Sequence, residues 1–328
     1  MFKLKTEEQL LEEIRAVVAE RTPMALAQTR GTLQMLGLRT RAEGVSEDNG
    51  VSWALRAQIG SLEKLIGLLP EGRNPSSVEL LASARNLFEN LVWLKLFLID
   101  PGWGDFFYGQ LLKNQKEDLA GMVTKLQAEA DLFDSLDNEY NNIFADTFDS
   151  LNNRYLKGDQ TATEMTQLLN EHREKIDRKA RRHFALYAAA AVFNGYGYQR
   201  HLLIEKQIPH WRSQLALIDD RINDFSTRMA DPAKVNRYLG QWQWRSEALR
   251  VGMVAQYDFL YRLTSRLLHA TPMNIITEKE LIEGERITLL EYIAISVPDA
   301  IDAIDAFQFP GRIDAIHLEW PGDDAGEN

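Results

Sequence analysis

Tyr261, Arg262, Ser265 and His269 form the most site-like pattern in this sequence. Arg262 and His269 are seven positions apart, which at roughly 100° per residue leaves them about 20° from eclipsed across two helical turns. Ser265 lies four residues after Tyr261 and four before His269, so one stripe carries a phenol, a guanidinium, a hydroxyl and an imidazole. That set suits metal-free phosphodiester chemistry. Imidazole moves a proton from a ribose 2′-hydroxyl, and guanidinium stabilises the crowded anionic phosphorus centre. Two turns rise about 10.5 Å and helical side chains lean toward the N-terminus, so His269 leans toward Ser265 while Arg262 leans away. A single helix does not close this site, and a second copy across a two-fold axis would; the spacing predicts a composite dimeric site. The residues also have a structural reading. His269 sits in the last turn before Thr271-Pro272, where a cation meets unpaired carbonyls, while Ser265 can bond a backbone carbonyl and Tyr261 can pack.

Two further groups bear on this stripe. Arg85 and Glu89 are four apart on an early helix that is apolar nearly all round, and such a helix lies centrally in a bundle. Charges there need partners, for which His269 and Tyr261 are the candidates; a structural ion pair is the alternative. The run Arg173–His183 is the densest basic stretch of an acidic chain. Arg178, Arg181 and Arg182 are its candidates for meeting RNA phosphates or an acidic partner, against the plainer reading of a solvated face. The aromatic patches Phe193–Tyr198 and Trp242/Trp244 read as core.

The elements that must position these residues are helical almost throughout. Thr6 and Gln9 open a first helix as a capping box, Thr22-Pro23 starts a second, and Ala42–Gly50 reads as a loop. Further helices are predicted over Trp53–Leu69, Val78–Ile99 and Phe106–Tyr155, the last an extended antiparallel arm closed by Gly158. Thr161 with Glu164 caps a helix running through Ile176, Phe184 and Tyr187, broken at Asn194–Gly197 and again at Pro209. Trp211–Met229, Trp242–Ala270 and Glu278–Phe307 complete an all-α, multi-helix bundle with long antiparallel helices. The expected organisation is an N-terminal segment over 1–72 packing on a main bundle over 73–310, with a C-terminal tail over 311–328 whose acidic end, Gly322–Asn328, is expected to be disordered. The mixture of 45% hydrophobic and 26% charged residues supports a sizeable core.

Several chemistries are excluded. The net charge of -11 argues against broad binding to duplex nucleic acid but leaves room for a small basic pocket. The absence of cysteine removes thiolate catalysis, zinc fingers and iron–sulfur ligation. No histidine has Glu three residues before it and no two are four apart, so neither di-iron nor zincin-type ligation is expected; no metal and no cofactor is predicted. Neither a GxGxxG turn nor a P-loop occurs. No apolar window approaches the roughly 20 residues of a membrane span, and the start lacks an apolar leader, which predicts a soluble cytoplasmic protein with no membrane partner.

Arg-Asn-x-x-Glu at Arg85–Glu89 and Tyr-x3-Ser-x3-His at Tyr261–His269 together resemble uncharacterised bacterial helical proteins associated with HEPN-like folds. HEPN ribonucleases carry an Arg, four to six residues, then His; Arg262 and His269 have six between them, with Leu263 where a polar residue usually follows the Arg. The resemblance covers about 75–310 loosely. It implies a dimeric, metal-independent endoribonuclease of toxin or phage-defence settings, with His269 in acid–base catalysis and Arg262 holding phosphate. The alternative is a non-catalytic helical module: a sensor, or a protein-binding module using the Phe106–Tyr155 and Trp211–Met229 helices.

Overall fold

Apolar residues at intervals of three and four make every regular element a helix, and no strand occurs among the described residues. The computed structural model describes residues 5–43, 49–155, 162–229, 231–268 and 280–309, with backbone only at 151–155, 162, 164–165 and 265–268. In chain order these form α1 (Glu7–Ala42), α2 (Gly50–Ile66), α3 (Ser77–Ile99), α4 (Trp103–Tyr155) and α5 (Ala162–Arg182). There follow α6 (Ala188–Asn194), α7 (Tyr196–Leu202), a π-helical turn (Leu203–Gln207), α8 (Ile208–Met229) and α9 (Pro232–Tyr238). The last three are α10 (Trp244–Arg250), α11 (Val254–Leu268) and α12 (Glu283–Asp305). None of the described helices is long and apolar enough to cross a membrane.

Contacts divide the chain at 110/111 and 235/236 rather than at residue 72: one unit is Met1–Gln110 with Asn236–Asn328, the other Leu111–Val235. In the first unit, α3 is buried nearly all round through Leu80, Leu81, Leu87, Phe88, Leu91 and Phe97. It packs on α12 and α11, and α1 packs on α2 and α12. The Thr6–Gln9 capping box is present in both directions. Ser76 and Glu79 form another at the head of α3, where Arg73 and then Ser76 hold the Glu79 carboxyl down to about 2. Trp242 belongs to the core fringe as expected, stacked on Trp93 at 4.1 Å and edge-on to Trp244 at 5.2 Å.

In the second unit, α5 runs antiparallel to the rest of α4: Lys125 Nζ donates to the His183 carbonyl at 3.1 Å, while Lys179 meets Glu139 at 2.6 Å. The α7–α8 stretch is also antiparallel to α4, through Arg200–Asp134 at 3.1 Å and Lys116–Asp219 at 2.7 Å. Leu126, Phe133, Leu136, Ile176, Tyr196 and Leu203 are among the residues of its own core.

The structure corrects four predicted boundaries. Pro23 lies inside a continuous α1 instead of starting a helix. It and Ala19, whose carbonyl loses its i+4 donor, are both exposed residues, and the packing of α1 on α2 and α12 carries the helix through the lost bond. Pro209 does not break the chain either. The Ile208 N–H reaches back five residues to the Leu203 carbonyl, and this π turn passes Pro209 into the first turn of α8, where a missing N–H costs little.

The expected Trp242–Ala270 helix is interrupted after Arg250 by a C-terminal motif on Gly252, whose φ is 74°. Met253 N–H bonds the Ala248 carbonyl at 2.7 Å and Gly252 N–H bonds Leu249 at 3.2 Å. The same motif ends α5 at Arg182, short of the predicted Phe184 and Tyr187. Ala185 N–H bonds Ala180 at 3.3 Å and Phe184 N–H bonds Arg181 at 3.0 Å. Here the left-handed position, φ 55°, is occupied by Phe184, at a cost of about 1 kcal/mol relative to glycine. The break at Gly195 is as expected, with φ 86°. Gly158 and Thr161 lie outside the described residues, and nothing of the Glu164 side chain is described.

Candidate functional site on α3 and α11

Arg85 and Glu89 leave α3 beside its core-facing Ala84 and Phe88, both half-buried rather than submerged. Their i,i+4 spacing lets Arg85 Nε reach Glu89 Oε1 at 2.9 Å. On α11, Leu260 and Leu263 enter the core, and this fixes the azimuth of the residues between them. Tyr261 is thereby turned onto α3. Its hydroxyl donates to the same Glu89 oxygen at 3.0 Å, and the Arg85 guanidinium sits 4.3 Å from the centre of its ring. Tyr257, one turn earlier, adds a ring 4.2 Å from Tyr261 and 6.2 Å from Phe88. Tyr257 was not singled out in the sequence, although its place four residues before Tyr261 was the available signal.

Charge follows geometry. Burial first, then the neighbouring Glu89 carboxylate, raises the Tyr261 phenol well above its ordinary range. The phenol therefore stays protonated at neutral pH and serves as a donor, not a base. One carboxylate oxygen accepts from a phenol and a guanidinium, and the guanidinium in turn covers the phenol ring. This closed polar triad ties α11 to α3. We expect a double-mutant cycle of Glu89→Gln and Tyr261→Phe, followed by urea unfolding, to give a coupling of about 1–2 kcal/mol. Additive effects would show that the 3.0 Å bond contributes nothing.

The structure thus brings Tyr261, Arg85 and Glu89 together. Arg262 is exposed on α11 and makes no ion pair among the described residues. Ser265 belongs to α11 by its backbone, its side chain is not described, and His269 lies outside the described residues. Arg178, Arg181 and Arg182 are exposed on α5, opposite its core residues Ile176 and Ala180, and belong to the second unit. They too make no ion pair among the described residues. No group of three or more His, Asp or Glu side chains arranged to hold a metal occurs among the described residues. No protein-family model, curated protein or solved structure matches this chain.

Proposed function

We propose that the protein is a metal-independent, HEPN-like endoribonuclease, a cytoplasmic effector of a bacterial stress or phage-defence system that acts as a homodimer. The observation that carries this reading is the exposed guanidinium of Arg262, without an ion pair among the described residues, next in sequence to a tyrosine held by a hydrogen bond to Glu89 and by the Arg85 guanidinium over its ring. A cation at a fixed position, uncommitted to any described carboxylate, suits a phosphate. In this reading His269 exchanges the proton of the ribose 2′-hydroxyl, Arg262 holds the phosphate, Ser265 assists, and the α3 triad positions the helix. A two-fold partner supplies the second Arg262/His269 set.

A second reading, a non-catalytic helical interaction or sensor module, is favoured by the closure of the triad itself. Tyr261, Arg85 and Glu89 are bonded to one another, and such a set serves to join two helices without any substrate. An apolar groove of ≈ 390 Å³ between α1 and α2, lined by Ile14, Val18, Pro23, Leu65 and Leu69, is where a small-molecule sensor would bind.

The experiment is cleavage of total RNA in the presence of a chelator. Wild-type protein is expected to cut, and His269→Ala and Arg262→Ala to lose activity by about a hundredfold or more with helical content unchanged. Wild-type protein as inert as both variants would sink the nuclease reading and leave the interaction module standing.

A further inference from the structure

The turn after α5 and the two short helices that follow expose apolar side chains, among them Phe193 and Tyr198 of the patch that the sequence reads as core. Phe184 is 79% exposed, Leu186 48%, Phe193 88% and Tyr198 57%, whereas Tyr196 alone of the 193–198 aromatics is buried. Ala189 and Phe193 share one exposed face of α6. No charged residue occurs from Phe184 through Tyr198. Single exposed apolar side chains are ordinary, whereas four within fifteen residues that carry no charge ask for an explanation.

The presentation is enforced. Phe184 occupies a left-handed position normally given to glycine. Just before it, Lys125 binds the carbonyl of His183; just after it, the buried Glu129 binds the N–H groups of Leu186 and Tyr187. A residue kept in an unfavourable conformation by its surroundings while its ring stays in water points to use of that ring. The basic residues belong to the same α5–α6 pair. Arg173 donates to the Val192 carbonyl of α6, and Arg178, Arg181 and Arg182 line the solvent face of α5 without an ion pair among the described residues.

We propose that this corner of the second unit docks peripherally on an anionic lipid bilayer, with Phe184, Leu186 and Phe193 entering the headgroup boundary and Arg178, Arg181 and Arg182 meeting lipid phosphates. Rings interleaved with donors and cations would suit single-stranded nucleic acid. Between Phe184 and Phe193, however, the one polar side-chain group is the Tyr187 hydroxyl, already bonded to Gln207 at 3.1 Å. No cation lies in that stretch, and Leu186 and Ala189 offer a base no aromatic face to stack on, whereas a bilayer requires only apolar area and a basic fringe. The proposal is independent of the nuclease reading, since it uses neither Arg262 nor His269.

The test is co-sedimentation of the full chain with vesicles of phosphatidylcholine and with vesicles enriched in phosphatidylserine. Binding is expected to the anionic vesicles and to fall as salt rises. Arg181→Gln with Arg182→Gln should lower the partition coefficient by about 25-fold, roughly fivefold per charge. Phe184→Gly should lower it by about tenfold while leaving the fold as stable or more so, because glycine suits that backbone. This variant separates docking from misfolding. His269→Ala should bind vesicles as wild type does. Binding of wild type to neither vesicle, equal binding to both, or undiminished binding by Phe184→Gly and by Phe193→Ser, overturns the proposal. So does binding of single-stranded RNA in place of vesicles, or a dimer that Phe193→Ser dissociates without any vesicle binding.

Discussion

Gly104→Ala is expected to cost the first unit about 3 kcal/mol or more, enough to leave much of the protein unfolded at moderate urea. Gly104 is the second residue of α4, at the point where that helix meets the start of α2. A Cβ there would stand 1.7 Å from the Gly50 carbonyl oxygen, 2.6 Å from its carbon and 2.9 Å from the Ala54 nitrogen. All three are backbone atoms, so no rotamer change relieves the overlap; one helix has to move. Moving it disturbs Trp103 and Phe106, both core residues, and the Gln110 amide that donates to the Tyr238 carbonyl at 2.6 Å. Gly60→Ala is the control. It lies in α2 with nothing within 4 Å of the added methyl, and should stabilise by about 0.5–1 kcal/mol. If tryptophan fluorescence against urea gave Gly104→Ala and wild type the same midpoint, the close approach of α4 to α2 would be wrong.

Glu129→Ala should destabilise the second unit by a similar amount, about 3 kcal/mol. The Glu129 carboxylate is only 1% exposed and accepts from the N–H groups of Leu186 at 2.7 Å and Tyr187 at 2.6 Å. Bonds to a charged acceptor contribute roughly 1.5–3 kcal/mol each, and the alanine variant leaves both donors without one. Glu129→Gln keeps one acceptor oxygen and should fall between. Hydrogen exchange at the Leu186 and Tyr187 amides is the direct readout: slow in wild type, fast in Glu129→Ala. Unchanged protection would show that the carboxylate does not hold the turn. Because this turn presents Phe184, Glu129→Ala should also weaken vesicle binding without touching an exposed residue.

Helical periodicity in the amino-acid sequence alone determined the all-α class, the approximate spans of α3, α4, α8 and α12, and the capping box at Thr6, because spacing and caps are local properties of the chain. It also singled out Arg85 and Glu89, since charged residues on an apolar helix require partners somewhere, and Tyr261 as part of the polar stripe on the late helix. Which partner each one found was a tertiary matter. Glu89 and Tyr261 are far apart in sequence, and only the packing of α11 on α3 brings the phenol to the carboxylate.

The two prolines show the same division. Pro23 and Pro209 break helices by local rules, yet the packing of α1 on α2 and α12 and a π turn at Leu203–Gln207 let the helices run on. For Gly104, nothing local reveals that another backbone lies in the place of its missing Cβ. The aromatic residues near 193 carried no sign of which would be buried: Tyr196 packs on Phe133 at 5.3 Å, while Phe193 and Phe184 face water. Apolar character is a property of a side chain, but burial belongs to the surfaces that the fold brings against it.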